Sequence, residues 1–76
     1  MTIEFTKIID GYYKANIGKD AIGREVFANV RRHGREWHAE FRYAACGEVC
    51  RFAGIWTRRH DAFAEVRHIA SNHFDW

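Results

Sequence analysis

The clearest pattern along the chain is an alternation of apolar and polar side chains in its middle part. It runs through residues 26–31, resumes over 37–43 after His33-Gly34-Arg35, and continues into residues 49–56 after Cys46-Gly47-Glu48. A period of two residues, interrupted by short glycine-bearing segments, is typical of strands joined by tight turns. The pattern therefore predicts a three-stranded antiparallel meander.

Beyond Trp56 the period of the apolar side chains changes from two residues to that of a helix. Thr57 is a candidate N-cap, and Asp61 falls in the first turn, where the helix dipole favours a carboxylate. The residues that follow at helical spacing are Ala62, Phe63, Val66, Ile69, Ala70 and His73. We predict one helix over residues 58–71, packed on the sheet.

The first 22 residues fit two descriptions. Their apolar side chains, Phe5, Ile8, Ile9, Tyr12 and Tyr13, have the spacing of an amphipathic helix, which Gly11 interrupts. The alternation over residues 12–17 instead favours a further strand. We favour the strand, so the predicted fold is α+β: a three- or four-stranded antiparallel meander with one C-terminal helix on one face.

The helix must cover one face of this sheet, since a small sheet with two wet faces is marginally stable. The predicted inward side chains are Val26, Ala28, Val30, Trp37, Ala39, Phe41, Tyr43, Cys50, Phe52 and Trp56, with Gly54 allowing close approach of the helix. The open face then carries Phe27, Arg31, His38, Glu40, Arg42, Arg51 and Ile55, and the adjoining strand positions Val49 and Ala53 also point outward. Arginine beside apolar side chains is typical of a recognition surface, although an ordinary solvated sheet face has a similar composition.

Size and composition agree with a single small domain spanning residues 1–76. The chain is 47% hydrophobic and 16% aromatic. Charged residues make up 29% and are spread along the sequence, so no apolar run is long enough to cross a membrane. The N-terminal segment lacks the basic start and apolar stretch of a secretory signal. These features predict a cytoplasmic protein with reduced cysteines. The net charge of +2 allows a local basic face without requiring a nucleic-acid partner.

Chemistry of the catalytic or metal-binding kind is not indicated by the sequence. Cys46 and Cys50 have a C-x3-C spacing, whereas zinc knuckles prefer two intervening residues and need about four ligands. The sequence has no nucleophile elbow, no H-E-x-x-H and no glycine-rich phosphate loop. We therefore predict a non-enzymatic protein without a metal or cofactor. At the C-terminus, Phe74 and Trp76 either seal the edge of the core or anchor a partner.

Two sequence stretches resemble a known module. From Val30 the chain reads V-R-R-H-G-R-E-W-H-A-E-F-R, and from Val49 it reads V-C-R-F-A-G-I-W-T-R-R-H-D-A-F-A-E-V-R-H-I-A. Over residues 24–71 this is similar to the three-strand-plus-helix module of plant ethylene-response-factor DNA-binding domains and of the arm-binding domains of phage tyrosine recombinases. In those families the open sheet face enters the DNA major groove. The resemblance implies that Arg31, His38, Arg42 and Arg51 would carry this contact.

The small size and simple architecture also resemble those of phage-encoded anti-CRISPR proteins, which act through their surfaces. On this analogy, our first hypothesis is a phage or mobile-element inhibitor that docks on a CRISPR surveillance complex and sterically blocks DNA binding or nuclease recruitment. The second hypothesis is a sequence-specific module that reads duplex DNA. In both cases the protein would be a monomer or a homodimer, and the predicted binding residues are Phe27, Arg31, His38, Arg42, Arg51, Arg58 and Arg59.

Overall fold

The fold is an open five-stranded antiparallel sheet followed by one helix. The computed structural model describes residues 3–73, apart from the side chain of His73. The elements in chain order are β1 (Phe5–Ile9), β2 (Tyr12–Lys19), β3 (Glu25–His33), β4 (Glu36–Tyr43), β5 (Val49–Trp56) and α1 (Arg59–His73). The strands lie side by side in the same order, as in a meander. The predicted α+β class and C-terminal helix are confirmed, with five strands where three or four were expected.

The first two strands form a hairpin where the sequence also allowed a helix. Ile9 pairs with Tyr12, which leaves Asp10 and Gly11 as the connecting residues, and Gly11 has a φ of +78°. The dipeptide Asp-Gly is a strong hairpin signal. On the covered side of the sheet the Phe5 ring stacks on Phe63 of α1 at a centroid distance of 3.9 Å. The glycine that interrupts the helical spacing is therefore the turn, and the contact with α1 favours the extended conformation.

The turn between β2 and β3 is organised by one carboxylate. Asp20 accepts hydrogen bonds from the backbone N–H groups of Ile22 and Arg24, at 3.1 and 2.9 Å, and from the Arg24 side chain at 2.8 Å. An aspartate that accepts hydrogen bonds from backbone groups ahead of it mimics a further peptide unit and so holds the turn. The carboxylate thus fixes the entry into β3, the central strand.

One side of the sheet and one stripe of α1 form the core. The buried apolar residues are Ile3, Ala15, Ile17, Val26, Ala28, Val30, Ala39, Phe41, Ala62, Val66, Ile69 and Ala70. Trp37, Tyr43, Cys50 and Trp56 are partly buried against them. The predicted inward residues of β3 and β4 are thereby confirmed, and the helix covers this side through the spacing i, i+4, i+7 and i+8 from Ala62.

The orientation of β5 differs from the prediction. Ala39 of β4 pairs with Gly54, but the next residue, Glu40, pairs with Phe52, so Ala53 is an extra residue in β5. A bulge of this kind changes which residues face each side of the sheet. Phe52 consequently lies on the open side with 57% of its surface exposed, while Ala53 packs against the core. The prediction of Phe52 inward and Ala53 outward was wrong.

The same bulge moves Arg51 to the other side of the sheet, and a second extra residue, Cys50, returns Val49 to the open side, where it pairs with Arg42. Arg51 pairs with the buried Phe41 and is itself exposed, at the margin of the side that α1 covers. Its predicted place on the open face is therefore wrong.

The two terminal aromatics, Phe74 and Trp76, lie outside the described residues. Within the described part of the chain, no helix has the length and apolar character needed to cross a membrane.

Candidate functional site

Three rows of side chains run across the strands in the central part of the open side of the sheet, and the pair His33 and Glu36 lies beyond them at the turn between β3 and β4. Residues paired on neighbouring antiparallel strands point to the same side, with about 4.8 Å between strands. Row one contains Ile9, Tyr12, Arg31, His38 and Ile55; row two contains Thr6, Lys14, Asn29, Glu40 and Phe52; row three contains Asn16, Phe27, Arg42 and Val49. We call these three rows the open face. Each row includes one arginine or lysine and one aromatic side chain.

Two of the cations on the open face lie over aromatic rings. The Arg31 guanidinium is 4.3 Å from the centroid of Tyr12, and the Lys14 ammonium is 4.3 Å from the centroid of Phe27. The Tyr12 hydroxyl donates a hydrogen bond to the Oδ1 atom of Asn29, which is buried at the centre of row two. These contacts hold the rings and the charges near the sheet surface.

Arg42 and Glu40 form the most constrained pair on this face. The Arg42 Nε donates to Glu40 Oε1 at 2.7 Å, and a terminal nitrogen donates to the carbonyl of Gly47 at 2.6 Å. Burial opposes the charge of Glu40, but the hydrogen bond from Arg42, assisted by Asn29 and Arg31, outweighs burial and lowers the pKa of Glu40. The face thus holds an ionised carboxylate that its neighbours neutralise.

We expect this arrangement to make stability depend on pH. A group whose pKa is lower in the folded state stabilises the fold above its unfolded pKa and loses that effect as pH falls through its folded pKa. At pH 7 the Glu40→Gln variant should therefore be less stable by about 1 kcal/mol, because Gln cannot form the charged hydrogen bond. Urea unfolding at several pH values would show this difference shrinking towards pH 3.

Glu25→Gln is the control for this measurement, since Glu25 is exposed at the start of β3. Its difference from the native protein should stay small at every pH. A Glu40→Gln difference that is equally large at pH 7 and pH 3 would contradict the role assigned to the Glu40 charge.

A depression of about 260 Å³ lies among rows one and two, beside the turn that joins β3 to β4. Its lining includes Arg31, His38 and Phe52. The His33 and His38 rings are 4.5 Å apart, and the buried Nε2 atom of His38 has no hydrogen-bond partner among the described residues. The depression is too small for a drug-sized ligand, for which pockets of about 300–1,000 Å³ are usual.

The predicted binding residues separate into two groups. Phe27, Arg31, His38 and Arg42 are brought together on the open face, as the alternation predicted. Arg59 instead lies on the covered side, where it contacts Tyr13: its side chain donates a hydrogen bond to the hydroxyl. The prediction that Arg59 joins the binding face was therefore wrong.

Arg58 immediately precedes α1, and a backbone hydrogen bond assigns its place at the start of the helix. Its carbonyl accepts the Ala62 N–H at 3.3 Å, so Arg58 occupies the N-cap position for which Thr57 was the candidate. Together with Arg51, on the margin of the covered side, Arg58 and Arg59 form no part of the three rows. The residues that the sequence assigned to the open face are therefore placed correctly in β3 and β4. Beyond them, Ile55 is placed correctly, whereas Arg51, Arg58 and Arg59 are not on this face.

Sequence reasoning missed several residues of the open face. They are Tyr12, Lys14, Asn16 and Phe52. The signal for those of β2 was present, because a strand with Ala15 and Ile17 inward places Tyr12, Lys14 and Asn16 outward. No local signal marked Phe52, whose direction depends on the bulge.

The two cysteines lie at and beside the turn between β4 and β5, and both are free thiols. Cys46 is exposed, and Cys50 is half-buried, with a pKa that burial raises. No group of three or more His, Cys, Asp or Glu side chains within the described part of the chain could hold a metal ion. The polar and charged groups of the candidate site are therefore those of the open face.

The fold and the open face together define a class: a small α+β protein whose sheet is covered by a helix on one side and left open on the other, with a mixed cationic and aromatic surface. Comparison of the chain with protein-family models, curated proteins and solved structures finds no match. The function must therefore be argued from the open face itself.

Proposed function

We propose that this protein is a non-enzymatic binding protein that docks its open face on a nucleoprotein complex. The observation that carries the proposal is the repetition of one cation and one aromatic side chain in each of three rows on the side of the sheet opposite α1. Arginine and aromatic side chains are the groups that contribute most at binding interfaces. The protein would act by occupying a site, in the manner of an anti-CRISPR inhibitor of a CRISPR surveillance complex in the cytoplasm.

The pre-ordering of these side chains supports binding rather than mere solvation. Arg31 is held over Tyr12, and Arg42 is held by Glu40 and by the Gly47 carbonyl. Side chains already ordered in the free protein lose less conformational entropy when they bind. A face built in this way favours a partner that presents negative charge and flat apolar groups.

Insertion into the DNA major groove, the alternative hypothesis, is less well supported by the dimensions of the sheet. Five strands at a spacing of about 4.8 Å span about 19 Å, whereas the major groove of B-DNA is about 12 Å wide. A three-stranded sheet fits this groove, but here β1 and β2 widen the sheet on one side. The residues of row two also extend across all five strands, from Thr6 to Phe52.

The proposal is tested by co-elution of the protein with a purified CRISPR surveillance complex in size-exclusion chromatography. We expect the native protein to co-elute and to inhibit DNA binding or nuclease recruitment. The double variant Lys14→Glu/Arg31→Glu reverses two exposed charges of the open face and should reduce co-elution at least tenfold.

Arg51→Glu is the control, because it makes one such charge reversal at an exposed strand position outside the three rows. It should co-elute like the native protein. If the native protein does not bind the complex, the proposed function is wrong. If Arg51→Glu loses binding while the double variant keeps it, the choice of face is wrong.

A further inference from the structure

The open face combines two kinds of group that recognise different parts of one polymer. Lys14, Arg31 and Arg42 supply one positive charge to each row. Phe52 exposes more than half of its surface, and Tyr12 and Phe27 lie under cations in the other two rows. Cations suit a chain of phosphates, whereas aromatic rings and guanidinium planes suit flat bases.

We propose that the open face binds single-stranded nucleic acid. The inference deepens the proposed function, on which it rests, by naming an unpaired strand as the component of the nucleoprotein complex that the protein contacts. Phosphates would lie near Lys14 and Arg31, and bases would stack on Phe52 and on the Arg31 guanidinium. This division of contacts is general for proteins that bind unpaired strands without strong sequence preference.

The arrangement favours an unpaired strand over a duplex for a physical reason. A base can stack on a side chain only when its own flat surface is accessible, and in a duplex that surface is covered by the neighbouring base pairs. The rows are separated by two residues, or about 7 Å, so an extended strand can pass from one row to the next. The exposed rings and guanidinium groups of the open face give bases a stacking surface that a duplex cannot use.

The negative charges of this region restrict the path of such a strand. Glu40 stands within row two, but its charge is compensated by Arg42 at 2.7 Å and by the nearby Arg31. Glu4 and Glu25 line a groove of about 660 Å³ together with Lys14 and Phe27, so these carboxylates border rows two and three. Glu36 lies beyond row one, 3.7 Å from His38 Nε2. These carboxylates would repel phosphates, so the favourable path for a strand runs between them, over Arg31 and Phe52.

The experiment measures fluorescence anisotropy of labelled 12-nucleotide oligo-U and oligo-dT, and of a 12-base-pair duplex, at about 50 mM salt, where phosphate contacts are strong. The native protein should bind either single strand at least tenfold more tightly than the duplex. Phe52→Leu keeps an apolar side chain but removes the ring, and should weaken single-strand binding about tenfold.

One lysine variant and one arginine variant test how much the positive charges of the open face contribute to single-strand binding. Lys14→Ala should weaken single-strand binding and reduce its salt dependence by about one phosphate contact. Arg51→Ala removes the same charge from an exposed position outside the rows and should leave both quantities unchanged. Circular dichroism establishes that each variant is folded, and Phe52 is exposed enough for Phe52→Leu to fold even where another variant does not.

The outcomes separate this inference from the proposed function. Co-elution with the surveillance complex, without binding of the free single strands, would overturn the inference and leave the proposed function standing. Binding of single strands without co-elution supports the inference and contradicts the proposed function. Equal affinity for duplex and single strand, or an Arg51→Ala effect as large as that of Lys14→Ala, would also overturn the inference.

Discussion

Replacing Phe41 with alanine is expected to lower the free energy of unfolding by about 3–5 kcal/mol, the usual cost of truncating a buried phenylalanine. Phe41 is fully buried in β4, beneath α1, and is the largest of the fully buried side chains among the described residues. A chain of this size has few such side chains, and stabilities of about 0.05–0.15 kcal/mol per residue are usual. The variant should therefore be largely unfolded at 37 °C, as measured by urea titration and thermal unfolding.

Phe52→Ala is the matched control for Phe41→Ala because the same atoms are removed. Phe52 lies on the open face with 57% of its surface exposed, so its loss should cost less than about 1 kcal/mol. The pair also tests the bulge at Ala53, since without it Phe52 would point inward. Similar losses for the two variants would show that β5 faces the other way.

The second large effect is expected at Gly54, where a side chain has no space. Gly54 has a φ of +144°, and a Cβ atom built there would lie 2.8 and 2.9 Å from two atoms of the Trp56 indole. A φ available essentially to glycine alone costs other residues about 1–3 kcal/mol, and overpacking costs a further ~1–3 kcal/mol. Gly54→Ala should therefore lower the free energy of unfolding by about 3 kcal/mol or more.

Gly34→Ala separates these two contributions. Gly34 also has a positive φ, of +63°, but a Cβ atom there would meet nothing within 4 Å. Its replacement should cost only the backbone term, about 1–2 kcal/mol. If both alanine variants lose the same stability in urea unfolding, contact with the Trp56 ring contributes nothing and the packing argument at Gly54 is wrong.

The Gly54 environment also changes the interpretation of this residue. Its position among the predicted inward residues of the third strand suggested close approach of the helix. The atoms nearest to the missing side chain belong instead to Trp56, two residues further along β5. The glycine therefore allows the indole ring to fold back over its own strand, beside the bulge that turns Phe52 outward.

The central part of the open face could be predicted from the sequence because β3 and β4 are regular. Phe27, Arg31, His38 and Arg42 follow from alternation with the apolar residues between them, and the register of β3 with β4 is uninterrupted. Arg51 could not be placed in this way, since the extra residue Ala53 reverses the direction of Phe52 and Arg51, and a second extra residue, Cys50, restores it. A function argued from Arg51 would thus have used the wrong side of the sheet.

The sequence by itself determined the class of the fold, the approximate extents of β3, β4, β5 and the helix, and the core side of β3 and β4. These features depend on short-range periodicity, which each segment carries on its own. The tertiary structure alone decided between strand and helix for residues 5–9, because Phe5 gains its partner from α1, 58 positions further along the chain. It also decided the bulge in β5, and with it the presence of Phe52 and the absence of Arg51 on the open face, because register is set by pairing between strands.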